Sequence, residues 1–149
     1  MAIRGKQMHR YPQIGLIASV VVLATVGLTG CSDGNTQESA CSRVGDASTG
    51  VFDRVSTAMQ NFSAEPEESA HVLDDAAKDF RSGINGVTFA AVAEPAKALA
   101  DALDDLSAAA AAATSKASDD SWMGDSDLLA ARDRINNAAS QLQDLCEKE

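Results

Sequence analysis

From residue 40 onward, apolar side chains recur every third or fourth position, and no stretch alternates apolar with polar residues over the length of a strand. That period marks one face of a helix and leaves no half-buried sheet to build. Cys41, Val44, Ser48, Val51, Val55, Ala58 and Phe62 define a first stripe over residues 40–62. Gly45 and Gly50 weaken its first half, each by about 1 kcal/mol relative to Ala. Residues 63–65 read as a turn, and Pro66 suits the first position of a second helix, with Glu67 and Glu68 in its electropositive first turn. Ala70, Leu73, Ala77, Phe80 and Ile84 form the second stripe, and Gly83 and Gly86 bracket its end.

The third stripe is the longest: Val92, Ala96, Leu99, Leu103, Leu106, Ala110 and Ala113, within residues 88–116. Pro95 conflicts with a continuous helix because it lacks an N–H and its ring crowds the preceding turn. Either the helix starts near Glu94 or a short first piece kinks there. The run 108–113 is all alanine, a good helix former that buries little per residue and lets helices approach closely. A polar loop over 117–126 holds Trp122, and Asp125 or Ser126 is placed to cap a fourth helix. Its stripe is Leu128, Ala131, Ile135, Ala138, Leu142 and Leu145. Four helices with short connections predict a small all-α antiparallel four-helix bundle.

The first 30 residues are of another kind. Residues 1–13 carry Arg4, Lys6 and Arg10 and no acid; residues 14–27 are uncharged and apolar; small residues follow. This is the three-part plan of a secretory signal peptide. A retained membrane helix would need about 20 apolar residues. The uncharged run 11–32 approaches that, but Pro12 and Gln13 open it and Gly27, Thr29 and Gly30 loosen its end, so a cleaved signal over 1–30 is the expectation.

Leu28-Thr29-Gly30-Cys31 resembles the lipobox of bacterial lipoproteins: an aliphatic residue, a small or Thr-like one, Gly or Ala, then Cys. The resemblance implies a diacylglyceryl thioether on Cys31, cleavage of the bond before it, and residence at the outer face of a bacterial cell membrane. It covers only the first 31 residues and carries no information on the mature fold. With no twin-Arg pair, general secretion is the expected route. One acyl chain holds a protein only marginally and two hold it stably, so such a chain is anchored to the membrane rather than spanning it. Residues 32–39 contain no aliphatic or aromatic side chain and read as a flexible tether, which makes the expected organisation 1–30 signal, 31–39 lipidated tether and 40–149 helical domain.

With Cys31 assigned to lipid, Cys41 and Cys146 remain. An exported protein meets an oxidising compartment, and an even pair there is expected to form a disulfide. In a four-helix antiparallel bundle the start of the first helix and the end of the fourth share a pole. A three-helix bundle would put them roughly 30 Å apart for helices of about 20 residues. A bridge does not tolerate Cα atoms beyond about 7 Å. Disulfide and helix count therefore support each other.

From residue 31 on, nine Lys and Arg face 22 acids, a net charge of −13. That excludes the basic footprint of a nucleic-acid binder and the cationic clusters that recruit proteins to anionic lipid. It keeps a surface protein soluble and suits a partner with a basic surface.

No catalytic constellation is apparent. His71 is the one histidine after Cys31 and stands among Glu68, Asp74 and Asp75. A metal site wants several converging ligands, so an exposed helix residue is expected. Adjacent acids such as Asp74-Asp75 and Asp104-Asp105 point different ways on a helix, whereas Asp101 and Asp105 share a face. A calcium loop starting at Asp119 would have Gly124 at its sixth position, but Ala130 stands at the twelfth, where a bidentate Glu is required. Trp122-Met123-Gly124 resembles the W-x-G hairpin of a family of small secreted helical proteins. The chain departs from that family in its signal and its cysteines, and a Trp ring plugging the bundle end is preferred. No phosphate loop, nucleophile elbow or metalloprotease motif occurs. The chain is thus expected to be no enzyme, to hold no cofactor and to act through protein contacts. The alternative is a carrier of an apolar ligand in a cavity lined by Phe52, Phe80, Phe89 or Leu103.

Overall fold

A computed structural model describes residues 36–119 and 121–147. The signal expected over 1–30 and the expected lipid acceptor Cys31 lie outside the described residues. Among those described, five α-helices and no strand occur: α1 (Gln37–Ser48), α2 (Val51–Asn61), α3 (Pro66–Gly83), α4 (Ala90–Ala113) and α5 (Ser126–Cys146). They make an all-α bundle of four legs, α1 and α2 together forming the first.

The first leg differs from the single helix expected over 40–62. Thr49 (φ −60°, ψ 119°) and Gly50 (φ 74°, ψ −12°) form a type II turn between α1 and α2. Its third position needs a positive φ, which glycine adopts without steric cost. The apolar spacing runs on through the break because both helices pack on α3. Arg43 reaches Asn85, Ala47 meets Gly83, and Arg54 pairs with Asp79. The α3 partner moves backward as the first leg moves forward, so the two run antiparallel.

The domain also begins earlier than residue 40. Thr36 caps α1: its side chain accepts from the Ser39 N–H, and the Ser39 hydroxyl accepts from the Thr36 N–H, each at 3.2 Å. Gln37 Nε2 donates to the Leu145 carbonyl at 2.7 Å. Residues 37–39, expected in the tether, are the first turn of a helix. The absence of apolar residues misled there, because a helix start is held by hydrogen bonds to its orphan N–H groups rather than by burial.

α3 starts on Pro66 and buries Leu73, Ala77 and Phe80 as its stripe predicts. α4 begins at Ala90, before the Glu94 start considered above, and Pro95 sits inside it, buried. The proline removes one bond near the helix start, to the carbonyl of Ala91, which is exposed to water. Val92, fully buried one turn before the proline, holds the first turn in place. Short 3₁₀ turns follow at Thr114–Asp119 and Ser121–Gly124. Asp125 then caps α5, its side chain accepting from the Asp127 N–H at 3.1 Å.

α4 is the central leg, packed along both α3 and α5. Half of the 26 buried apolar residues among those described are alanine. Phe62, Phe80, Leu73, Leu99 and Leu103 supply the bulk between them. Each such side chain stabilises the fold by about 1.5–3 kcal/mol on burial, whereas an alanine contributes one methyl. The core therefore gains closeness more than mass. At Gly83 the approach is tightest: a Cβ there would lie 2.6 Å from the Ala47 Cβ.

Candidate functional site

Two poles close the bundle. At one, Cys41 near the start of α1 is bonded to Cys146 at the end of α5, with Cα atoms 5.6 Å apart and a sequence separation of 105. The Gln37–Leu145 hydrogen bond spans the same junction. The α3–α4 connection belongs to this pole too, since Arg43 of α1 reaches its Asn85 carbonyl at 3.5 Å. The expected disulfide is thus present, between the ends of the first and last legs. Cys31, the expected lipid acceptor, precedes the α1 cap by five residues and lies outside the described residues.

At the other pole, Trp122 is the plug. Its ring packs on Phe62 with centroids 4.8 Å apart and planes 52° apart, an inclined contact that suits aromatic quadrupoles. Its Nε1–H donates to the Ser63 hydroxyl at 3.1 Å, so the one polar atom of a buried ring is satisfied. The resemblance to a W-x-G hairpin therefore has a packing explanation in this chain.

The charged groups lie outside the core, and several of the cations are paired with carboxylates. Arg81 of α3 bridges Asp101 and Asp104 of α4, with 2.8 Å to Asp101. Those two hydrogen bonds, Asp101 first, hold the guanidinium proton even more firmly than usual. Arg134 of α5 pairs with Asp105 of α4 at 3.0 Å. Asp101 and Asp105, placed on one face by spacing, are thus divided between two neighbouring helices. The sequence signal that finds this is the i, i+3 pair Asp101 and Asp104, which a single arginine can straddle. On α3, Lys78 bonds Asp74, which raises the lysine pKa.

His71 is exposed, its Nδ1 3.2 Å from Asp75 one turn on. No group of three His, Cys, Asp or Glu side chains is placed to hold a metal among the described residues. Asp125, which follows Gly124 inside the calcium-loop span weighed above, is engaged otherwise. Its carboxylate takes a hydrogen bond from Lys116 at 2.9 Å and caps α5, and those two bonds, the lysine's first, lower its pKa.

The four side chains weighed for an apolar cavity do not converge. Phe80 and Leu103 are packed within the core, Phe89 lies at its edge, and Phe52 faces outward at 37 % exposure. An open cleft of about 780 Å³ between the first leg and α3 is polar instead, lined by Arg43, Asp46, Arg54 and Asp79 among others. No helix among the described residues is long and apolar enough to cross a membrane.

No protein-family model matches this chain, and no curated protein or solved structure matches it.

Proposed function

We propose that the protein is a lipid-anchored helical bundle at the outer face of a bacterial cell membrane, acting through protein contacts rather than catalysis. The observation that carries this reading is the placement of Cys31. It ends the tetrad Leu28-Thr29-Gly30-Cys31 and stands five residues before the capped start of a disulfide-closed domain. Cleavage before Cys31 would leave that domain whole, and acylation of the thiol would hold it by its first leg. The Cys41–Cys146 bond suits the oxidising side of a membrane.

The working surface in this reading is the acidic exterior of the bundle, which favours a partner with basic side chains. Its arginines are mostly committed to aspartates, so much of the remaining negative charge stays available. Such a contact would weaken as salt screens it. The carrier alternative has less support, because the aromatic side chains it relies on do not share a cavity.

Intact-mass measurement on protein extracted from its own membrane tests the reading. The expected mass is that of residues 31–149 plus the acyl groups, less the two hydrogens of one disulfide. A mass for the full 149 residues with no acyl addition would overturn it. A Cys31→Ser variant is expected to leave the membrane fraction.

A further inference from the structure

The two halves of the first leg are held to the bundle very unequally. α1 is 12 residues long, and of these only Ala40 and Val44 are buried. An isolated helix shorter than about 12–15 residues is marginal in water, so α1 depends on what it packs against. Val44 is its one buried side chain larger than a methyl group. Gly45 lowers its helix propensity further. Its contact with α3 at Ala47 and Gly83 is close but brings together a half-buried methyl and no side chain. The second half is better seated: α2 buries Val51 and Ala58 and ends on fully buried Phe62.

Polar groups add little to the docking of α1. Gln37 donates to the Leu145 carbonyl, and Arg43 reaches the Asn85 carbonyl at the long distance of 3.5 Å. Among the described residues no ion pair ties α1 to another helix. The remaining tie is covalent, Cys41 to Cys146. Both cysteines are half-buried, and Cys146 is the last residue of α5, so a reductant can approach the bond. A hinge stands at the other end of α1. The chain turns there through exposed Thr49 and Gly50, and Val51 immediately beyond is buried. Opening that turn would leave α2 in place.

We infer that α1 is a strap held down by the Cys41–Cys146 bond, and that reducing the bond frees residues 36–50 as a unit while α2 to α5 stay folded. The reductant is a dithiol. One of its thiolates attacks a sulfur of the bond and forms a mixed disulfide, which its second thiol resolves. Two electrons pass to Cys41 and Cys146, which leave as two thiols, and the dithiol closes into its own disulfide. Release lengthens the chain ahead of the bundle. Cys31 stands five residues before Thr36 and twenty before Val51. Five residues extend at most about 18 Å, whereas twenty flexible ones span about 22–27 Å on average and about 70 Å at full stretch. An acylated bundle would then stand farther from its lipid when reduced. That reach rests on the anchor reading; the release of α1 does not.

Trypsin reads the strap directly, because Arg43 is the first lysine or arginine after Cys31 and lies inside α1. The protease is added without denaturant to membranes carrying the full chain, and to the same protein in mild detergent. Three forms are compared: the native protein, the native protein reduced with dithiothreitol and alkylated beforehand, and a Cys41→Ala, Cys146→Ala double variant. Cleavage after Arg43 is expected at least about tenfold faster in the second and third forms, since cleavage follows the population of the open segment. The fragment begins at Val44, stays uncut at Arg54, Lys78 and Arg81, and leaves the membrane. Cutting at those three sites as fast as at Arg43 would mean that the whole bundle opens together, and overturns the inference. Equal cutting at Arg43 in all three forms overturns it too, as does a bond that dithiothreitol fails to reduce without denaturant. Rapid cutting at Arg43 in detergent, by protein absent from the membrane fraction, supports the strap and overturns the anchor reading.

Discussion

Three glycines in the first leg and its partner illustrate how differently one residue type constrains a chain. Gly45 lies inside α1, and a Cβ there meets nothing within 4 Å. Gly45→Ala is therefore expected to raise stability by up to about 1 kcal/mol, read from urea unfolding. Gly50 also has open space, but its φ of 74° belongs to the type II turn. Gly50→Ala should cost about 1–2 kcal/mol in the same measurement, through strain alone. Gly83 is the reverse case, with ordinary helical backbone but no room against Ala47. The obstructing atoms are a Cβ and a Cα, which cannot swing aside, so Gly83→Ala must part α1 from α3. A loss of about 1–3 kcal/mol is expected. If the Gly50 and Gly83 variants both matched the Gly45 variant, this account of the first leg would be wrong.

At the scale of elements, the turns are tied down by polar groups that also belong to a helix end. Asp125 joins the 3₁₀ segment to α5 by accepting from both Lys116 and the Asp127 N–H. Both interactions favour its charged form, so its pKa falls on folding. A carboxylate whose folded pKa is depressed adds stability that is present above its ordinary value, near 3.8. That stability is lost as pH falls through the lowered one. Asp125→Asn keeps a good capping side chain but cannot titrate. Its unfolding midpoint is expected to fall less steeply than the native midpoint as pH drops below about 4. A native profile parallel to that of the variant in this window would remove the cap from the explanation. At the same pole, Trp122→Phe keeps the ring against Phe62 and loses the bond to Ser63. A cost of about 0.5–1.5 kcal/mol is expected from thermal melts, in addition to any loss of packing.

Across the whole molecule, an alanine-rich core makes the covalent closure matter more. Closing a loop of roughly 100 residues stabilises a fold by up to about 4.7 kcal/mol when the gain is the lost entropy of the unfolded chain. The bond here joins the first and last legs, so almost every contact lies between its two ends. Urea unfolding with and without a reductant should show the midpoint fall sharply on reduction. A Cys41→Ala, Cys146→Ala double variant should reproduce that fall and be insensitive to the reductant. Equal midpoints in both conditions would mean that packing alone holds the first leg to the last.

Helical periodicity made the fold class legible before any coordinate. The stripes of α3, α4 and α5 are the buried faces of those helices, because a 3.6-residue period leaves one way to hide them from water. Cys41 and Cys146 were legible as a pair through compartment and count. Three features needed the tertiary structure. Gly50 was read as a weak helical position, yet only packing against α3 decides that the leg turns there. Residues 37–39 looked like tether because hydrogen-bonded caps leave no apolar trace. The spacing of Asp101 and Asp105 placed them on one face but did not show the arginine that meets Asp101, since Arg81 stands 20 positions away in sequence. The sequence by itself determined which faces are apolar, since that is a local property of spacing. Tertiary structure alone decided where those faces end and which charges meet, since both depend on a neighbour the local chain does not contain.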